Sequence, residues 1–193
     1  MKGIGLILVI ALVIVGFMGC QGYNSLVKED ENVKKAWNNV QSEYQKRNDL
    51  VGNLVNTVKG AAKFEQETLT RVIEARSKAT SVNVAPENLT PENIQKFQAA
   101  QGEVSSALSR LLAVVEAYPD LKANQNYLQL QGQLEGIEND IRASRQTFNT
   151  AIKSYNDRVR SFPMKILGGL FGFKVKEGFR ADTGADKAPP VEF

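Results

Sequence analysis

Apolar residues recur at steps of three, four and seven along most of the chain, a spacing that puts them on one face of an α-helix. The first series runs Leu26, Val33, Trp37, Val40, Tyr44, Val51, Leu54, Val58 and Ala61, and it holds phase across Gly52 and Gly60. One long helix is compatible with it. Asn48-Asp49 also has the chemistry of an N-cap for a second helix opening near Leu50, so a kink or tight turn is expected near Gly52. The series continues through Leu69, Val72 and Ile73 and fades in Thr80-Ser81-Val82-Asn83-Val84.

Pro86 and Pro91 bracket a loop. Thr90 before Pro91 is a cap followed by a first-turn proline, which starts a helix carrying Ile94, Phe97, Val104, Leu108, Leu111, Leu112 and Val115. It ends at Tyr118-Pro119-Asp120, because the residue before a proline is pushed out of α geometry. The last series is Tyr127, Leu130, Leu134, Ile137, Ile141, Phe148, Ile152, Tyr155, Val159 and Phe162. Its near-heptad spacing predicts bundle packing over a helix from Asn124 to Ser161, about 57 Å long. No strand-like alternation competes. Short connections make neighbouring helices antiparallel. The expected fold is all-α: an up-and-down bundle of three long helices, or four if the first breaks near Gly52, following an N-terminal transmembrane helix.

That last element rests on Gly3 to Cys20, an apolar run behind Lys2 with no charge before Lys28. As a helix it would span about 27 Å, close to the hydrocarbon thickness of a bilayer. Three readings stay open: an uncleaved anchor, a cleaved secretory signal, and a lipoprotein signal ending at Gly19-Cys20 with lipid on Cys20. The anchor is preferred, since an A-x-A-like cleavage site is missing and Phe17 is large for a lipoprotein signal. Orientation is weakly encoded: the positive-inside count, with Lys28, Lys34 and Lys35 beyond the run, slightly favours a cytoplasmic bundle, while the Lys-then-apolar layout favours an extracytoplasmic one, the side expected here.

The texture changes after Pro163. Residues 164–179 are rich in Gly and Phe, and 180–193 form a polar tail expected to be disordered. The domain plan is therefore an anchor over 1–22, a bundle over 23–163, a Gly/Phe segment over 164–179 and a tail. Gly168-Gly169-Leu170-Phe171-Gly172-Phe173, flanked by Lys165, Lys174 and Lys176, shows no helical stripe. Two readings fit it. Phe171, Phe173 and Lys174 would meet a membrane surface, or the segment folds back and its Phe residues cap the bundle core.

Composition removes several function classes. The chain has 193 residues and a net charge of +3, without the basic stripe of a nucleic-acid binder. It contains no histidine and one cysteine, so the commonest general base and metal ligand is missing and no internal disulfide or Cys-rich metal site is available. No nucleophile elbow, phosphate loop or zinc-protease motif occurs. No catalytic residue, cofactor or metal site is expected.

The remaining polar and aromatic features have structural readings. Glu116, Tyr118, Asp120 and Lys122 suit a turn, with Tyr118 also a candidate partner contact. Trp37 and Tyr44 sit seven apart and read as core, with Trp37 a candidate hot spot for a partner helix. Asn149 and Asn156, also seven apart, suit register-fixing polar positions in a bundle seam. Arg142 and Arg145 are placed to pair with Glu135 or Glu138.

Several runs together resemble the LemA family. They include Tyr23-Asn24-Ser25-Leu26-Val27, Ala36-Trp37-Asn38-Asn39-Val40, Arg47-Asn48-Asp49-Leu50-Val51-Gly52-Asn53-Leu54-Val55 and Glu116-Ala117-Tyr118-Pro119-Asp120-Leu121-Lys122-Ala123. Val58-Lys59-Gly60, Glu74-Ala75-Arg76, Phe148-Asn149 with Tyr155-Asn156, Ser161-Phe162-Pro163 and Pro190-Val191-Glu192-Phe193 extend the resemblance over nearly the whole chain. One departure is Gly52, where many relatives carry proline, which weakens the case for a break there. The resemblance implies a membrane-associated helical bundle on a single amino-terminal segment, in a family that includes organisers of magnetosome membranes and has no established biochemical activity. The expected function is a non-enzymatic, membrane-anchored scaffold or adaptor of the bacterial cell envelope. Its partners would be membrane lipids, an envelope protein or a second copy of the chain. The alternative is a membrane-organising protein acting through the anchor and the Phe-rich segment.

Overall fold

The computed structural model of the chain describes residues 2–60 and 65–180; for most of residues 2–18, and for residue 167, it describes the backbone alone. Among the described residues there are helices α1 (Lys2–Lys59), α2 (Gln66–Ser81), α3 (Pro91–Val115), α4 (Pro119–Lys122), α5 (Gln125–Arg160) and α6 (Met164–Leu170), with a 3-10 turn at Pro86–Asn88. No described residue is in a strand. Also among the described residues, no helix is long and apolar enough to cross a membrane. The expected tail, beyond Arg180, lies outside the described residues.

Four helices make the bundle. α1 packs on α5 and on α2, and α2 packs on α3. Ser25 pairs with Arg158 and Arg47 with Glu138, so α5 runs antiparallel to α1. Arg76 reaches Asn48 and Trp37 reaches Val84, so α2 does too. Local cap chemistry sets two of the starts. The Thr90 hydroxyl accepts from Asn93 N at 3.3 Å with Pro91 in the first turn, and the Asn124 carboxamide accepts from Asn126 N at 2.9 Å and Tyr127 N at 3.3 Å.

The expected break near Gly52 is not there. α1 passes through Gly52 and ends at Lys59, and α2 begins at Gln66, so the four-helix count does not come from a break at Gly52. Gly52 makes room for a neighbour instead: an added Cβ would lie 3.2 Å from Arg76 Cζ, and Arg76 Nε donates to the Asn48 carbonyl at 2.7 Å. Asn48 is accordingly a buried mid-helix residue and not a cap. Residues 61–64, which include Ala61 of the expected stripe, lie outside the described residues.

The core divides in two. One cluster, nearer the apolar N-terminal run, holds Leu26, Trp37, Phe97, Phe148 and Tyr155; the other, at the far end, holds Val51, Leu54, Val72, Leu111 and Leu134. Between them lies a polar layer. The guanidinium of Arg47, a residue 1% exposed, donates from Nη1 to Ser105 Oγ (2.8 Å) and Glu138 Oε1 (3.0 Å), and from Nη2 to Gln101 Oε1 (2.7 Å) and the Gln101 carbonyl (3.0 Å). Glu138 therefore pairs with Arg47 on α1 rather than with Arg142 or Arg145. Two expected core residues face solvent: Ile73 on α2, and Phe162, which falls beyond the end of α5.

Candidate membrane-facing site

α6 and the segment after it occupy the end of the bundle where α1 emerges from the apolar run. The chain reverses after α5 and lays α6 against α1 and α5. Gly22 leaves room for the Met164 side chain, whose tip occupies the space a Cβ would take. Met164 and Gly168, four apart, face inward, with Leu26 beneath Gly168. Phe162, Ile166 and Leu170, also four apart, face outward at 80%, 65% and 79% exposure, and Phe171 is exposed beside them. Large apolar groups exposed together on α6 (Ile166 and Leu170) and just before and after it (Phe162 and Phe171) make this end a candidate contact surface. The stretch itself is basic: Arg158, Arg160, Lys165, Lys174 and Lys176 occur between Asp157 and Glu177 with no acidic residue among them, although Lys176 is paired with Asp30 of α1.

The segment then runs back along α5 as an extended strap, from Phe173 to Arg180. Its start is pinned at α1, where the Tyr23 ring meets Phe171 and Phe173 edge-on at centroid distances of 5.1 and 5.8 Å. Tyr155 Oη donates to the Lys174 carbonyl at 2.9 Å. Asn156 forms a reciprocal pair with Lys176, accepting from its N and donating to its O, both at 2.8 Å. Asn149 does the same with Phe179, at 2.9 and 3.2 Å. The spacing matches: seven residues of helix and three of extended chain each cover about 10 Å. Gly178 leaves room for the Asn149 carboxamide, which a Cβ there would push away from Phe179 N.

The expectation that Asn149 and Asn156 fix helix register is thus corrected. Their carboxamides imitate a neighbouring strand, each supplying a donor and an acceptor to the backbone of one strap residue. Phe179 closes the strap by entering the core, where its ring stacks on Trp37 at 5.9 Å, meets Phe148 at 5.6 Å and lies under the Arg145 guanidinium at 4.7 Å.

An ion pair adds to the clasp. Lys176 Nζ lies 2.9 Å from Asp30 Oδ1, and Lys34 Nζ lies 3.1 Å from Asp30 Oδ2. Burial alone would raise the Asp30 carboxyl, but the hydrogen bonds from Lys176 and Lys34 outweigh it and hold the carboxyl below its ordinary value. The Tyr155 phenol beside them is pushed up to about 12, chiefly by burial and further by the Asp30 charge. A depressed carboxylate stabilises the fold above its unfolded pKa, and that contribution is lost as pH falls through the folded value. Acid titration from about pH 4 downward is expected to loosen the strap, read as a change in Trp37 fluorescence when Phe179 withdraws. Asp30→Asn should remove that acid-side step; an unchanged step in this variant would discard Asp30 as the latch.

The other sequence-predicted positions fall as follows. Cys20 is exposed on α1 at the end of the apolar run. Phe171 and Lys174 are exposed at the α6 end of the bundle, and Phe173 is half-buried against Tyr23. Trp37 is fully buried, with Nε1 donating to the Val84 carbonyl at 2.8 Å, so its indole is spent on the core and is not a free partner contact. Tyr118 is half-buried at the far end, in the turn leading into α4, where Lys122 pairs with Glu116. Sequence reasoning missed α6 and its outward face. The four-residue spacing of Phe162, Ile166 and Leu170 and the acid-free stretch around them were the signals that could have found it.

Comparison with known proteins places this architecture in a family. Magnetosome protein MamQ 2 of Paramagnetospirillum magneticum (strain AMB-1) is 26% identical over 181 residues, covering 85% of this chain and 66% of the relative. Magnetosome protein MamQ of Magnetospirillum gryphiswaldense (strain MSR-1) is 25% identical over 181 residues with the same coverage. Protein LemA of Metamycoplasma hominis is 25% identical over 139 residues, 72% of this chain and 60% of the relative. The chain thus spans somewhat under two thirds of the length of these relatives. The LemA family model matches residues 36–193, taking in the polar layer, the asparagine clasp and α6, and the chain belongs to the LemA family.

Proposed function

We propose that this chain is a membrane-anchored, non-enzymatic scaffold whose bundle stands on the bilayer and is docked there by α6. The observation that carries the reading is the exposure of Phe162, Ile166, Leu170 and Phe171 on and beside α6, which packs on α1, with Arg160, Lys165 and Lys174 interspersed along the same stretch. Apolar groups at the depth of the headgroups and basic groups facing anionic lipid are the two ingredients of interfacial binding. The apolar run of residues 3–20 serves as the transmembrane anchor, with the bundle on the extracytoplasmic side. The magnetosome proteins among its relatives support a role at a membrane. Docked in this way, α1 beyond Cys20 reaches about 58 Å from the surface, and long helix faces are presented at a fixed height to envelope partners or to a second copy.

Vesicle flotation tests the docking. Residues 21–193, which keep Gly22 and Tyr23, are expected to float with phosphatidylglycerol vesicles and less with neutral ones. Ile166→Ser with Leu170→Ser and Phe171→Ser, all at exposed positions, should abolish flotation while leaving the helical circular dichroism unchanged. Equal flotation of the two proteins would sink the proposal. The scaffold role is read separately, by crosslinking the full chain in native membranes; a strictly solitary monomer there would count against it.

A further inference from the structure

Residues 164–180 are bound to the bundle in the manner of a ligand. α6 is seated on α1 and α5, with Met164 beside Gly22 and Gly168 over Leu26. The strap is then read through its backbone and its side chains together. Asn149 and Asn156 each hold the N and O of one strap residue. Phe179 enters the core against Trp37 and Phe148, and Lys176 Nζ lies 2.9 Å from Asp30 Oδ1. These partners all belong to α1 and α5. None of the contacts depends on how the unit is joined to the bundle, so the same cleft fits residues 164–180 of any copy of the chain.

The join is short and bare. Ser161-Phe162-Pro163 links α5 to the unit. Ser161 leaves α5 in extended geometry (φ −77°, ψ 150°), and the reversal is held by Lys165 N donating to the Ser161 carbonyl at 2.7 Å. Exchange of this unit between two copies regains in the partner each contact it gives up at home, which makes exchange a low-cost route to a dimer. Phe162 supplies a reason for a second copy. It is 80% exposed, so its ring lies almost wholly outside its own fold. A twofold exchange carries two links past each other and brings two Phe162 rings together out of water. Ile166, Leu170 and Phe171 keep their outward positions on the exchanged unit, so the docking proposed above and this exchange stand or fall separately.

We propose that two copies of this chain exchange residues 164–180, each laying its α6 and strap on α1 and α5 of the other, with residues 161–163 as the hinge. Disulfide trapping in the full chain, with Cys20→Ser throughout, reads which copy each strap lies on. A Cβ on Gly178 lies 3.8 Å from Asn149 Cα, which puts thiols at the two positions within disulfide reach. The chain carrying both Asn149→Cys and Gly178→Cys is oxidised before detergent is added. It is expected to give a reducible dimer band about tenfold or more stronger than either single variant gives by collision, set by the close approach that a disulfide needs. A disulfide confined to the monomer, or a dimer band short of that margin, would overturn the proposal. The unsubstituted chain gives a reading that does not depend on those variants folding. Copies with two different tags should co-purify when co-expressed and not when mixed after solubilisation, because exchange requires each unit to leave its seat. No co-purification, or equal co-purification in the two cases, counts decisively against exchange.

Discussion

Phe179→Ala is expected to lower the unfolding free energy by about 3–5 kcal/mol, the range for deleting a buried aromatic ring. Phe179 is 8% exposed although it belongs to a segment with no regular structure. Its ring fills the space between Trp37 and Phe148 under Arg145, and its backbone N and O are both held by Asn149. Truncation therefore empties a site at the centre of the nearer core and removes the apolar end of the strap in one step. The polar clasp alone cannot compensate, since an exchange of solvent hydrogen bonds for internal ones nets only about 1 kcal/mol each. Urea unfolding followed by Trp37 fluorescence gives the value directly. Asn149→Ala should cost less, and the double variant should cost less than the sum, because both residues hold the same strap. A loss below about 1 kcal/mol for Phe179→Ala, the level of an ordinary surface change, would show that the strap rests on the bundle without supporting it.

The strap also bears on how far the fold could be read from sequence. Helix starts at Thr90 and Asn124 were legible, because a cap is satisfied by backbone two or three residues away. The core stripes of α1, α3 and α5 were legible for a similar reason: periodicity reports on the face a helix buries. What escaped depends on distant partners. Gly52 looks like a break until Arg76, from another helix, occupies the space of its missing side chain. Met164–Leu170 is too short, and too rich in glycine, to be helical on local preference; it is seated by Gly22 and Leu26, some 140 residues earlier. Asn149 and Asn156 were recognised as a pair on one face, yet their partner is extended chain, which helical periodicity does not register. The two readings of the Phe-rich stretch, core cap and membrane contact, were posed as alternatives. The fold bears on the first alone: Phe179 lies in the core, Phe173 is half-buried and Phe171 is exposed.

That division links the strap to the α6 end of the bundle. α6 lies between the end of α5 and the strap, so its position is set from both sides. Ser161 ends α5 in extended conformation, and Tyr155 and Asn156 hold the chain again from Lys174 onward. Anything that frees Phe179 therefore loosens one of the two restraints on the outward apolar face.

The second large effect is expected at Arg47. Its guanidinium is the only cation among the fully buried side chains described, and it ties α1 to both α3 and α5 through Ser105, Gln101 and Glu138. Arg47→Ala should lower the unfolding free energy by about 3–5 kcal/mol, since it opens a cavity and strips buried acceptors on Gln101 of their donor. The source of that loss is separable. Arg47→Met keeps most of the volume without the charge, and replacing a buried ion by a packed apolar group is often tolerated. If packing dominates, Met should recover most of the stability; if the polar layer dominates, Met should remain near Ala because Gln101 Oε1 still lacks a donor. The layer reading predicts the second outcome. Glu138→Gln should cost about 1 kcal/mol or less, because Glu138 is 40% exposed and water screens its charge. A Glu138→Gln loss as large as that of Arg47→Ala would mean that the ion pair, and not the Gln101 contacts, holds the two halves of the core in register.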